Sequence, residues 1–221
     1  MTPVVIMVIL FGAFQFGEAE NLNCYFVDFQ YWYKFYTCRV TSFDNSDDNR
    51  IITERAGKHL PNKEDRDVKM IFIGKTTVKF IPENIGLLFD LHAFAIRDCG
   101  LVQIRSKDFY GMNHVEHMDL GMNKLTVLPS NTFSALTKLI LIDLSYNQIE
   151  ELPNSLFCNN LKLVTVQLVQ NKIKFIGPTI FDRTTNLVEA NFSENICVSK
   201  KYHYQSALDE LKKDIKIKCK K

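Results

Sequence analysis

The chain has 221 residues, with 27 Lys and Arg against 25 Asp and Glu, a formal charge of +2. Charge this balanced argues against nucleic acid as the main partner, because phosphate neutralisation needs a basic surplus on one face. Hydrophobic residues make up 46% of the chain, enough for one elongated core and too many for a disordered segment.

The first element is an uncharged apolar run over residues 4–16. It is too short to span a bilayer comfortably and has the length of a signal-peptide core. Gly17 and Ala19 supply small residues at minus three and minus one for a cut before Glu20. Residues 1–19 are therefore read as a signal peptide rather than a membrane anchor, and cleavage leaves 202 of the 221 residues. No second stretch of spanning length follows, and the basic end K-I-K-C-K-K lacks the terminal hydrophobic run of a lipid-anchor signal. The expected product is secreted, extracellular and without a membrane span.

Residues 20–67 form an N-terminal cap. Tyr25, Val27, Phe29, Tyr31, Tyr33 and Phe35 share one parity, which predicts strands with one strongly apolar face. Two roles are open for that face. It covers the first edge of the core, or it is an exposed aromatic patch, including Trp32, that meets a partner. The acidic run 44–48 lacks the glycine and closing glutamate of a calcium loop and reads as solvated. Residues 50–60 read as an edge strand and turn, and 61–67 as a charged connection.

Residues 68–196 carry the strongest signal. Around Asn147, apolar residues stand at offsets of minus eight, minus five, minus three, plus two and plus five: Leu139, Ile142, Leu144, Ile149 and Leu152. The same offsets recur around Asn123, Asn171 and Asn195, and around Cys99 and Thr76, which take the Asn slot upstream. Six copies with spacings of 23, 24, 24, 24 and 24 residues make a solenoid. Each short strand alternates inward and outward side chains, and no single repeat buries its inward pair, so repeats stack on a shared core. The turn after the strand leaves backbone groups inside the stack, and an Asn amide, with donors and an acceptor, satisfies them. A second spine recurs ten residues after the slot, at Phe109, Phe133, Phe157 and Phe181, and should stack on the convex side. Gly86 holds that place in the short first repeat.

After Cys197 the period changes. Tyr204, Ala207, Leu208, Leu211 and Ile215 follow three- and four-residue steps, predicting one amphipathic helix that closes the far end. Residues 197–221 are thus a C-terminal cap.

The repeated pattern L-x-x-L-x-L-x-x-N-x-L-x-x-L-P-x-x-x-F resembles the 24-residue extracellular leucine-rich repeat, including small secreted members of the insect immune type. The resemblance implies an α/β solenoid: a horseshoe with a parallel concave β-sheet, a disulfide-bonded N-terminal β cap and a helical C-terminal cap. It also implies capping disulfides Cys24–Cys38 and Cys197–Cys219, because extracellular repeat proteins bond cysteines at the two ends of the stack. Cys99 is then a buried free thiol in the ladder slot. Cys158 is left over, either as an inert thiol or as the link of a dimer.

Nothing here resembles an enzyme: there is no phosphate loop, no G-x-S-x-G and no H-E-x-x-H. No cofactor is implied. His114 and His117 lack a closing ligand, so no metal site is assigned. Recognition on the concave face is the remaining chemistry. Positions minus six, minus four and minus two point there, and unlike the core they do not repeat. Arg97, His117, Asp119, Leu141, Asp143, Tyr146 and Gln167 are the candidate ligand-binding residues, for a partner offering basic or donor groups. Asn191, in the sequon Asn191-Phe192-Ser193, is a candidate glycan acceptor on the same face. The expected function is a secreted, non-enzymatic recognition protein with a protein or glycan-bearing ligand, in innate immunity or at cell surfaces. The alternative is a matrix interaction protein similar to small leucine-rich proteoglycans.

Overall fold

The computed structural model describes residues 20–31, 33–42 and 52–220. The signal segment, Trp32 and the acidic run 44–48 lie outside the described residues. The cap contributes β1 (Glu20–Gln30), β2 (Lys34–Ser42) and β3 (Ile52–Ala56). The repeats contribute β4 (Met70–Gly74), β5 (Ala93–Arg97), β6 (His117–Asp119), β7 (Leu141–Asp143), β8 (Glu151–Leu152), β9 (Thr165–Gln167), β10 (Phe175–Ile176) and β11 (Glu189–Asn191). The chain closes with β12 (Lys201–His203) and helix α1 (Gln205–Lys218).

Ten of these strands form one sheet, ordered β12-β11-β9-β7-β6-β5-β4-β2-β1-β3, with β8 and β10 as a separate pair. From β4 to β11 the strands run parallel, and each minus-six residue stands beside the next: Met70, Ala93, His117, Leu141, Thr165, Glu189. This is the parallel-sheet horseshoe that the repeat register predicts. The inward positions merge into one core, with Leu139, Ile142, Leu144, Ile149 and Leu152 all fully buried.

The Asn ladder holds the turns. Asn147 Nδ2 donates to the carbonyls of Leu120 and Leu144, each at 3.0 Å, and Leu125 N donates to Asn147 Oδ1 at 3.0 Å. Asn123 and Asn171 repeat the arrangement one coil away on either side. Cys99 supplies only the donor half, its Sγ pointing to the carbonyls of Ile73 and Arg97. Behind the sheet the Phe spine stacks with ring centroids 5.7, 5.9 and 6.0 Å apart. Phe192 adds an edge contact to Phe181 at the last coil. At Gly86 an added Cβ would stand 2.4 Å from the Tyr110 carbonyl oxygen, so the first coil has no room for the Phe.

One backbone feature repeats without a repeating residue. The residue before each slot, from Lys75 and Asp98 through Met122, Tyr146 and Gln170 to Glu194, has φ between 51° and 61°. A left-handed residue reverses the chain out of the strand, and because its side chain then points away from the core, its identity is free.

The ends are closed by two disulfides, Cys24–Cys38 and Cys197–Cys219, each with Cα atoms 5.1 Å apart. Cys99 and Cys158 are free thiols, the first buried and the second half-buried. Helix α1 buries Leu208, Leu211 and Ile215. Tyr204 does not join them: it is 68% exposed, because it sits at the N-cap with φ 72°, outside the helix. The helix is preceded by β12, which pairs antiparallel with β11 and buries Tyr202 completely.

The N-terminal cap differs most from expectation. Leu22, Cys24, Phe26, Tyr36, Cys38 and Val40, the even-numbered set, seal the end of the core. The odd-numbered aromatic face turns the other way, onto the concave sheet, where Phe29, Tyr31 and Phe35 join Phe72 over Met70, Ala93 and Ala95. Both faces of the hairpin are apolar, and the end of the core is covered by the even-numbered face, not by the odd-numbered one that the parity singled out. The odd-numbered face is folded against the protein's own groove.

Candidate functional site

The concave face is divided by this hairpin. Its tip reaches across β4 and β5 to β6, where Tyr31 Oη donates to Asp119 Oδ2 at 2.5 Å. Tyr33 lies against His117, ring centroids 4.7 Å apart. The candidates His117 and Asp119 are consequently buried rather than displayed, Asp119 with no exposed surface at all. Strand parity aims them at the groove, but the hairpin already fills it there.

Asp119 is the centre of a charged network. Arg97 Nη1 stands 3.1 and 3.0 Å from its two oxygens and 3.4 Å from Asp143 Oδ2, and Gly121 N donates to Oδ1 at 2.7 Å. Burial pushes the Asp119 carboxyl upward, and the Tyr31 hydroxyl, the Gly121 amide and the Arg97 guanidinium oppose it. Burial pushes the His117 imidazole the other way, toward its neutral form. The neighbouring aspartates are therefore not an open acidic row waiting for a basic partner: one is enclosed and Arg97 bridges both.

His114 is turned away from His117 and pairs with Asp90 at 2.5 Å. Asp90 is held down at about 2, first by Lys69 and then by His114. No group of three or more His, Cys, Asp or Glu suited to a metal ion occurs among the described residues.

From β7 onward the face is open. Leu141, Asp143, Thr165, Gln167, Glu189 and Asn191 are all half-buried, standing on a fully buried core. Tyr146, thrown outward by its left-handed backbone, is 46% exposed at the rim. Gln167 Nε2 donates to Glu189 Oε1, and Lys201 and His203 approach Glu189 Oε2, each at 3.0 Å. Asn191 Oδ1 accepts from Ser193 N and Oγ at 3.1 and 2.8 Å, with Phe192 buried behind it.

The sequence model of the family described as leucine rich repeat matches residues 90–149, within the coils just described. The chain has the leucine-rich repeat fold, and residues 90–149 carry that family's sequence pattern. No curated protein matches it in sequence. Among solved structures, the APL1 leucine-rich repeat domain is similar, with a TM-score of 0.63 and 19% identity over 79% of this chain and 43% of that one. A TLR13–ssRNA13 complex is similar over 57% of this chain and 18% of that one, with a TM-score of 0.54 and 23% identity. At such identities the shared property is the fold, and this leucine-rich repeat chain spans less than half the length of either. No helix of its described residues is long and apolar enough to cross a membrane.

Proposed function

We propose that this leucine-rich repeat protein is a secreted, non-enzymatic recognition protein that binds a protein ligand on the open part of its concave face. The observation that carries this reading is the contrast along one sheet. Inward positions repeat almost without variation, while the outward residues of β7, β9 and β11 differ in every coil and stay accessible. Leu141 on the sheet and Tyr146 at the rim are the apolar anchors of the open face, and Asp143, Gln167 and Asn191 its hydrogen-bonding groups.

A protein ligand fits better than a nucleic acid. Two cations of the concave face are already paired, Arg97 with Asp119 and Asp143, and Lys201 with Glu189. Phosphate recognition needs cations that are free to neutralise it.

The test uses Leu141→Lys with Tyr146→Ala, which leave the ladder and the Phe spine untouched. Capture of a ligand from extracellular fluid by the immobilised protein should drop about 10- to 100-fold, the loss expected when one or two anchor residues go. Thermal stability should hold within about 0.5 kcal/mol, as for other surface changes. Undiminished capture would move the site off this face. A glycan on Asn191 closes the β11 end of the same surface and steers the ligand toward β7 and β9. A mass decrease of the secreted protein on N-glycosidase treatment, absent in Asn191→Gln, is the expected result.

A further inference from the structure

The aromatic face of the hairpin has a property that capping does not require. The even-numbered residues already seal the core, so the odd-numbered ones could have been polar at no cost to the end of the stack. Instead they fill a hollow in the recognition sheet. In β5 two of the three concave positions are alanines, Ala93 and Ala95, the third being Arg97, whereas the counterparts of the alanines are Leu141 and Asp143 in β7 and Thr165 and Gln167 in β9. The short side chains leave a hollow over which the rings of Phe29, Tyr31, Phe35 and Phe72 pack. Tyr31 occupies it, edge-on to Phe72 with centroids 5.7 Å apart, and its hydroxyl reaches the one carboxylate at the far wall, Asp119.

The way the hairpin is attached matters as much. Its base is closed by Cys24–Cys38, and the ladder between β2 and β4 begins at Tyr36 and Thr37, where Lys69 N donates to Tyr36 O at 2.9 Å. Towards the turn, Phe29 stands opposite Phe35 and Gln30 opposite Lys34, and Phe29, Tyr31 and Phe35 reach the repeats through their side chains. A two-stranded ribbon held to its body by side chains alone can lift as a unit without breaking sheet hydrogen bonds, and such segments belong to the low-stability end of a fold.

We propose that the hollow is a tyrosine-accepting pocket of the recognition face, that Tyr31 fills it in the free protein, and that a tyrosine-bearing segment of the protein ligand takes its place when the ribbon lifts. The chemistry of the occupant is read from the present one: a ring fits the alanine floor, and a phenol hydroxyl satisfies the carboxylate that Arg97 holds in position. A bound partner would then span the pocket and the open strands beyond it in one continuous groove. Because Tyr31 competes, the apparent affinity of any such ligand is reduced by the fraction of protein with the ribbon closed.

The inference rests on the concave face being the recognition surface, but its test needs no partner. The probes are N-acetyl-tyrosinamide and N-acetyl-phenylalaninamide, titrated into the intact chain and into Tyr31→Ala with the Ala93 and Ala95 methyl signals as readout. Tyr31→Ala should bind the tyrosine probe about tenfold more tightly than wild type does. It should also bind it about tenfold more tightly than the phenylalanine probe, the discrimination expected from a hydrogen bond to a charged acceptor. Adding Ala95→Leu, which refills the hollow, should abolish both. Equal binding of the two probes, or binding that survives Ala95→Leu, overturns the pocket. Where Tyr31→Ala fails to fold, Tyr31→Phe keeps the ring. Amide hydrogen exchange at residues 29–31 and 33–35 should then be about tenfold faster than in wild type, with exchange at residues 37–40 unchanged. Exchange of these residues only through global unfolding overturns the ribbon's release. A failed titration leaves the Leu141 and Tyr146 result standing, so the two readings are judged separately.

Discussion

Asn147→Ala is expected to destabilise the protein by about 3 kcal/mol, a loss of roughly 6–12 °C in melting temperature for a chain of this size. The amide is nearly enclosed, and the buried N–H of Leu125 has it as acceptor, while the carbonyls of Leu120 and Leu144 each lose one of two amide donors and keep the other, from Asn123 and Asn171. A buried group left without its partner costs about 1–3 kcal/mol, and the coil is packed too tightly for water to replace the amide. The effect should be graded along the stack. Asn195 makes the same bonds to Leu168, Phe192 and Ile173, but it is only half-buried at the last coil. Water can reach those groups, so Asn195→Ala should cost about half as much. Thermal unfolding of the two variants beside wild type decides it. Equal, small losses would mean that the slot is a sequence habit of the repeat and that the turns are held by something else.

The ladder, the inward columns and the Phe spine could be read from the sequence because the same contact is made again in every coil, and repetition turns a weak local preference into a register. The cap has no such repetition. Period two in β1 and β2 shows that there are two faces, and since both are apolar, hydrophobicity alone cannot say which one meets the core. Two signals bear on it. Cys24 and Cys38 share parity with Leu22 and Phe26, and a capping disulfide belongs with the sealed face. Ala93 and Ala95 are small apolar residues at two successive outward positions of one strand, the mark of a sheet surface that something covers. Strand β12 left no trace in the periodicity because three residues are too few to alternate, and Tyr204 was drawn into the helical pattern by spacing although its backbone excludes it from the helix. The concave candidates divide for the same reason: parity places His117, Asp119, Leu141 and Asp143 on one face, but only tertiary structure shows that the hairpin covers the first two.

That cover gives Arg97 a role beyond a groove contact, and Arg97→Met tests it. Methionine retains most of the apolar stem while removing the cation that faces Asp119 and Asp143. Leaving a buried carboxylate without its countercharge costs about 3–5 kcal/mol in the cases where it has been isolated. Tyr31 and the Gly121 amide still hydrogen-bond to Asp119, so the lower figure, about 3 kcal/mol, is expected near neutral pH. The pH dependence separates charge from packing. Asp119 already titrates above the ordinary carboxylate range because of its burial, and loss of Arg97 raises it further. A carboxyl raised in the folded state favours folding most when protonated, below its unfolded value, and that contribution is lost as pH rises through the folded one. The gap in melting temperature between wild type and Arg97→Met should therefore be wide at pH 8 and narrow steadily toward pH 4. Adding Asp119→Asn should recover most of the loss at pH 8, since the ion pair is then removed as a pair rather than broken. A gap that is the same at every pH, and that Asp119→Asn does not close, would assign the arginine to packing of its stem. The network would then give no electrostatic reason for a phenol to be seated against Asp119.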